Sequence, residues 1–130
     1  MQTCASYVDR NNNLTKSGAD RLSAVLKNFK RTVGLLPGCK VYPFATASLR
    51  NVKNGREVLE RMREETGLDI TIISGKEEAL MDYKGALDSI PDKYGLVVDI
   101  GGGSTELVFC KNKKVLEAVS IEYGPTSFGL

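Results

Sequence analysis

The sequence predicts an α/β chain in which parallel strand–helix units lead into an antiparallel β-meander. Three observations carry that expectation. Helical periodicity alternates with β-branched or apolar runs through residues 14–90. Three strand-like runs separated by short turns fill residues 95–123. Gly, Pro and Asn signals stand at the junctions: Asn11-Asn12-Asn13, Pro37-Gly38, Gly67, Pro91-Asp92, Tyr94-Gly95 and Gly124-Pro125.

Residues 14–33 read as a helix, with Ala19, Leu22, Leu26, Phe29 and Val33 on one stripe and Val25 beside it. Thr15 or Ser17 suits its N-cap, and Gly34 stands where a C-terminal cap belongs. Residues 39–47 (CKVYPFATA) read as a strand whose Pro43, unable to donate to a ladder, favours an edge or a bulge. Thr46, Ser48 and Arg50 follow at the strand's end, alternating with Ala47 and Leu49. Asn51 suits the cap of a helix over 52–66, with Val58, Leu59 and Met62 inward and Gly67 as its stop. LDITIIS, residues 68–74, is a β-branched strand.

Ser74-Gly75-Lys76-Glu77 fits a capping box, opening a helix that runs to about residue 90 and buries Ala79, Leu80, Tyr83, Leu87 and Ile90. Glu77 therefore has a structural task, and Glu78 does not. Glu78 stands in the first helical turn just beyond a parallel-type strand, the zone where open α/β sheets collect ligands. From these residues alone, an exposed acid favourably placed near the helix dipole is the preferred reading. The breaks at 91–95 mark a boundary between lobes, giving 1–93 and 94–130.

The centre of the chain is GLVVDIGGGSTELVFC, residues 95–110. An apolar strand ends in Asp99, and a returning strand opens with Glu106. Between them, the backbone N–H groups of Gly101, Gly102, Gly103 and Ser104 suit a phosphate, because glycine permits close approach and unusual dihedrals. A plain hairpin turn fits these residues equally well. Neither G-x-x-x-x-G-K-[ST] nor G-x-G-x-x-G occurs. Residues 111–114 (KNKK) form a polar turn, and 115–123 a third antiparallel strand.

A composition of 42% hydrophobic and 26% charged residues is that of an ordinary globular chain, and a net charge of +2 gives no argument for nucleic acid. No apolar run approaches membrane-spanning length, and no signal peptide is visible. Cys4, Cys39 and Cys110 lack metal or disulfide spacing, so reduced thiols and a cytoplasmic location are expected. The chain has no histidine. Ser-His and Cys-His nucleophiles are thereby excluded, leaving carboxylates, Lys, Arg, hydroxyls and a hard metal ion.

Three segments, ATASLRNVKNG (45–55), ISGKEEAL (73–80) and VVDIGGGSTELVF (97–109), together resemble the exopolyphosphatase and guanosine pentaphosphate phosphohydrolase (Ppx/GppA) family. NLTKSGADRLSAVLKNF (13–29) is similar to the family's preceding helix. The resemblance implies a two-lobed, actin-like (ribonuclease H-like) fold that removes terminal phosphate from inorganic polyphosphate or guanosine pentaphosphate with a divalent cation, usually Mg²⁺. It implies that Glu78 activates the attacking water and that Asp99 serves the metal. Gly101, Gly102, Gly103 and Ser104 become the second phosphate loop, Glu106 an acid tied to activity, and Arg50 a basic residue facing the phosphate chain. The family's first phosphate loop, of D-x-G-S-N type, has no counterpart in these 130 residues. The expectation is an internal piece, the latter part of one lobe joined to the opening meander of the next, with little turnover by itself. Exposed sheet edges would favour homo-oligomers or strand exchange between copies. Two other readings are a non-catalytic phosphate- or polyphosphate-binding or interaction module and a piece of an actin-like kinase or ATPase. ISGKEEAL argues against the last.

Overall fold

A computed structural model describes residues 7–90 and 93–125. Cys4 and the expected break at Pro91-Asp92 lie outside them. The chain divides into two compact units, Met1–Ile72 and Ile73–Leu130.

In the first unit, helix α1 (Lys16–Gly34) starts at Thr15, whose hydroxyl accepts the Gly18 N–H at 3.2 Å. Ala19 and Ser23 are buried, and α1 packs on α3 (Gly55–Thr66), which contributes the buried Val58 and Met62. The far end of the expected α1 stripe is not core: Phe29 is 62% exposed and Val25 41%. Gly34 is the last helical residue rather than the cap, and Leu35 closes the helix in right-handed geometry. Gly67, by contrast, closes α3 as expected with φ 69°, a left-handed value that glycine adopts without strain.

Between these helices the expected strands shrink to pairs of residues, β1 (Phe44–Ala45) and β2 (Thr71–Ile72). They pair in parallel, Phe44 with Thr71 and Ala45 with Ile72. Pro43 offers no N–H, so it contributes only a carbonyl, which accepts the Thr71 N–H at 3.2 Å. Residues after β1 do not continue extended. Ala47–Arg50 forms a short helix, α2, and Asn51 ends it rather than starting α3. Asn54 occupies the α3 N-cap, but its amide is committed elsewhere: it accepts the Leu14 N–H at 2.8 Å and donates to the Leu14 carbonyl at 3.0 Å.

In the second unit, α4 (Gly75–Ala86) and a 3₁₀ turn (Leu87–Ser89) cover one face of a meander. The meander consists of β3 (Tyr94–Ile100), β4 (Thr105–Lys111) and β5 (Lys114–Ile121), antiparallel in that order. Asn112 and Lys113 both have positive φ, as a two-residue hairpin turn between right-twisted strands requires. Ala79, Tyr83 and Ile90 pack on Val108, Cys110 and Ala118, with Val97 at the margin. The opposite face carries Leu96, Val98, Ile100, Phe109, Val119 and Ile121, all exposed. Because α4 supplies the cover for the sheet, the two units divide at 72/73. The boundary expected at 93/94 rests on the turn signals at 91–95 together with the family resemblance.

Candidate functional site

Strand register brings the acids together. Asp99 on β3 pairs with Glu106 on β4, and Glu106 in turn with Ser120 on β5. Alternation then places Asp99 with Val97 and Glu106 with Val108 and Cys110 on the face that α4 covers. Cross-strand like charges are unfavourable neighbours, so this pair calls for a compensating group.

A third carboxylate arrives from the helix. Oxygens of Asp82, Asp99 and Glu106 all lie within 4.8 Å of one another. Burial, then the charges of Asp99, Glu106 and Glu78, hold the Asp82 carboxyl above its ordinary value. Glu78 precedes Asp82 by one helical turn on the same face. Asp82 was not expected from the sequence; the i, i+4 spacing from Glu78 was the available signal.

Glu106 is 1% exposed. Its Oε1 accepts the Ser120 hydroxyl at 2.7 Å, while Oε2 is buried with no hydrogen-bond partner, as is Oδ2 of Asp82. A buried carboxylate oxygen without a donor is costly unless a cation faces it. The donor set is entirely oxygen and anionic, which suits a hard ion such as Mg²⁺, Mn²⁺ or Ca²⁺.

The start of α4 is held as the sequence predicts. The Ser74 hydroxyl accepts the Glu77 N–H at 3.2 Å, and Glu77 Oε2 accepts the Ser74 N–H at 2.7 Å. These bonds, the backbone one foremost, keep the Glu77 carboxyl below its usual value. Glu78 is outside the box, half-buried, with its N–H on the Ser74 carbonyl at 3.0 Å.

The residues expected to cradle phosphate, Gly101, Gly102, Gly103 and Ser104, form the loop joining β3 to β4. Gly101 does not use a left-handed φ; its freedom goes into close approach, since a Cβ there would sit 3.3 Å from the Ser104 carbonyl. Ser104 is buried. Behind the loop, Gly124 lies so close to the carbonyls of Gly101 and Gly102 that no Cβ fits. The Thr105 hydroxyl donates to the Tyr123 carbonyl at 2.7 Å, tying the same segment to the loop. Sequence reading saw only a turn at Gly124. Arg50 closes α2 in the first unit, whereas the acidic group is built wholly from the second.

Residues 3–129 match the model of the Ppx/GppA phosphatase family. The crystal structure of the Aquifex aeolicus family member is 34% identical with a TM-score of 0.77, over 91% of this chain and 39% of that one. An exopolyphosphatase from Cytophaga hutchinsonii is 26% identical with a TM-score of 0.84, over 90% of this chain and 38% of that one. The 130 residues thus span about two fifths of the length of these relatives. With nearly every residue inside the family match, the chain belongs to the Ppx/GppA phosphatase family.

Proposed function

We propose that this chain carries half of the catalytic cleft of a metal-assisted phosphohydrolase that removes terminal phosphate from inorganic polyphosphate or guanosine pentaphosphate. The observation that supports this most is the convergence of Asp99 and Glu106 beside a glycine hairpin, with Glu78 one turn along the covering helix from Asp82. Water oxygen attacks the terminal phosphorus, the bridging P–O bond breaks, and the water proton passes to the Glu78 carboxylate. Backbone N–H groups at 101–104 bind the equatorial oxygens, whose charge grows in the transition state. Arg50 binds the phosphate chain. Asp99 and Glu106 would hold Mg²⁺, which when bound neutralises phosphate charge and orients the water. The actin-like, two-lobed arrangement supplies the remaining phosphate contacts.

The test is phosphate release from both substrates by a two-lobed protein carrying these residues. Glu78→Gln is expected to cut turnover by at least about 100-fold, the usual worth of a general base. Unchanged turnover would remove Glu78 from the mechanism. The 130-residue chain by itself is expected to bind polyphosphate with Mg²⁺ and release little phosphate. We further propose a cytoplasmic protein whose copies associate through the edges of the meander, checked by sedimentation velocity. Among the described residues, no helix is long and apolar enough to cross a membrane.

A further inference from the structure

We propose that Asp82 is a direct ligand of the divalent cation, and that the cation site is complete within residues 73–125, forming without substrate. The choice of a hard divalent ion rests on the proposed function; the binding event does not. The three carboxylates come from three elements, α4, β3 and β4, and their oxygens lie within 4.8 Å of one another. That is the spacing at which one ion with oxygen ligands at about 2.0–2.6 Å draws them together.

A second, independent observation points to a ligand. Glu106 is almost fully buried, Ser120 occupies its Oε1, and its Oε2 meets no donor. Asp82 repeats the pattern with its own buried, undonated Oδ2. Among the described residues, no Lys or Arg forms an ion pair with Asp82, Asp99 or Glu106. The charged groups acting on Asp82 are all acids: Glu78 from its own helix, Asp99 from β3 and Glu106 from β4. Three carboxylates gathered together, one of them buried, with no ion pair to Lys or Arg among the described residues, make an ion site.

The test is a titration of Mn²⁺ into the 130-residue chain without phosphate, read by electron paramagnetic resonance of the free ion. One tightly held ion per chain is expected. Asp82→Asn and Asp82→Ser should each weaken it at least about tenfold, because affinity at such sites follows the number of charged ligands. Asp88→Asn, an exposed acid on the 3₁₀ turn, should leave it unchanged. Thermal melting without metal guards the result: the Asp82 variants should melt at or above the parent chain, since a repelled charge has gone. If both bind Mn²⁺ like the parent while Glu106→Gln does not, Asp82 is no ligand, though the proposed function stands. If the parent takes no ion up to about 1 mM, a weak-site value, the preformed site is overturned. Loss of binding in the Asp82 variants, beside a two-lobed protein that releases no phosphate, would keep the ion site and remove the hydrolase reading.

Discussion

Replacing Glu106 by Gln should stabilise the chain in the absence of divalent ions, although the residue is 1% exposed and most substitutions at such sites do harm. Glu106 faces Asp82 and Asp99 within 4.8 Å. At an effective dielectric of about 20, two full charges at that separation repel by about 3.5 kcal/mol. Asp99 is exposed and screened by solvent, so the realised relief is about 1–3 kcal/mol. The isosteric amide keeps an oxygen for the Ser120 hydroxyl and brings an N–H₂ to the place of Oε2, where a carboxylate neighbour accepts it. The assay is urea unfolding with chelator and with Mg²⁺. The variant should gain stability with chelator and lose most of the Mg²⁺ effect shown by the parent chain. In a two-lobed protein it should also lose phosphate release, the exchange of stability for activity expected of a functional site. If Glu106→Gln unfolds at lower urea than the parent in chelator, the three acids do not repel as described and the electrostatic account of the site is wrong.

Gly124→Ala should destabilise the second unit by about 1–3 kcal/mol, because its Cβ would meet the Gly101 and Gly102 carbonyls. Gly85→Ala, inside α4 with open space around it, should stabilise by about 0.5–1 kcal/mol, and paired urea curves compare the two directly. Ser74→Ala removes the capping box at the start of α4 and should cost about 1 kcal/mol, read as lost amide protection at residues 75–78. Glu65 is held down to about 2 by the Ser23 hydroxyl first, then by Arg61 and Lys27. A depressed carboxyl stabilises above its unfolded value of 4.5, and that contribution disappears as pH falls through about 2. Melting temperature followed from pH 5 to pH 2 should therefore fall less steeply in Glu65→Gln than in the parent chain.

Local chemistry was legible where one side chain settles one piece of backbone. Ser74 and Glu77 announce a helix start, Gly67 needs a left-handed φ, and both are found as read. Reading failed where a residue had a choice of partners. Asn51, expected to cap α3, ends α2 instead, while Asn54 stands at the α3 N-cap with its amide given to Leu14, and Ala47–Arg50 is helical where an extended run was expected. The C-terminal end of α1 and the length of β1 differ from expectation because the stripe and the β-propensity describe what a surface would accept, whereas burial depends on which neighbour reaches it.

The acidic site shows the same division more sharply. A hairpin whose loop is four residues long and whose strands close at Ile100 and Thr105 must pair Asp99 with Glu106, so that pair follows from local sequence once the turn is placed. Asp82 does not follow in this way. Its membership depends on which stripe of α4 lies on the sheet, and apolar periodicity gives that only through Ala79 and Tyr83, the buried residues flanking it in sequence. Asp82 stands three residues after the buried Ala79 and one before the buried Tyr83, so the apolar stripe passes beside it without fixing its face. Helix packing on the sheet brings its carboxylate to those of Asp99 and Glu106. Net charge conceals this, since +2 over the chain is compatible with a local excess of several negative charges. It is topology that concentrates them, and the energy of holding them together is what a bound cation would relieve.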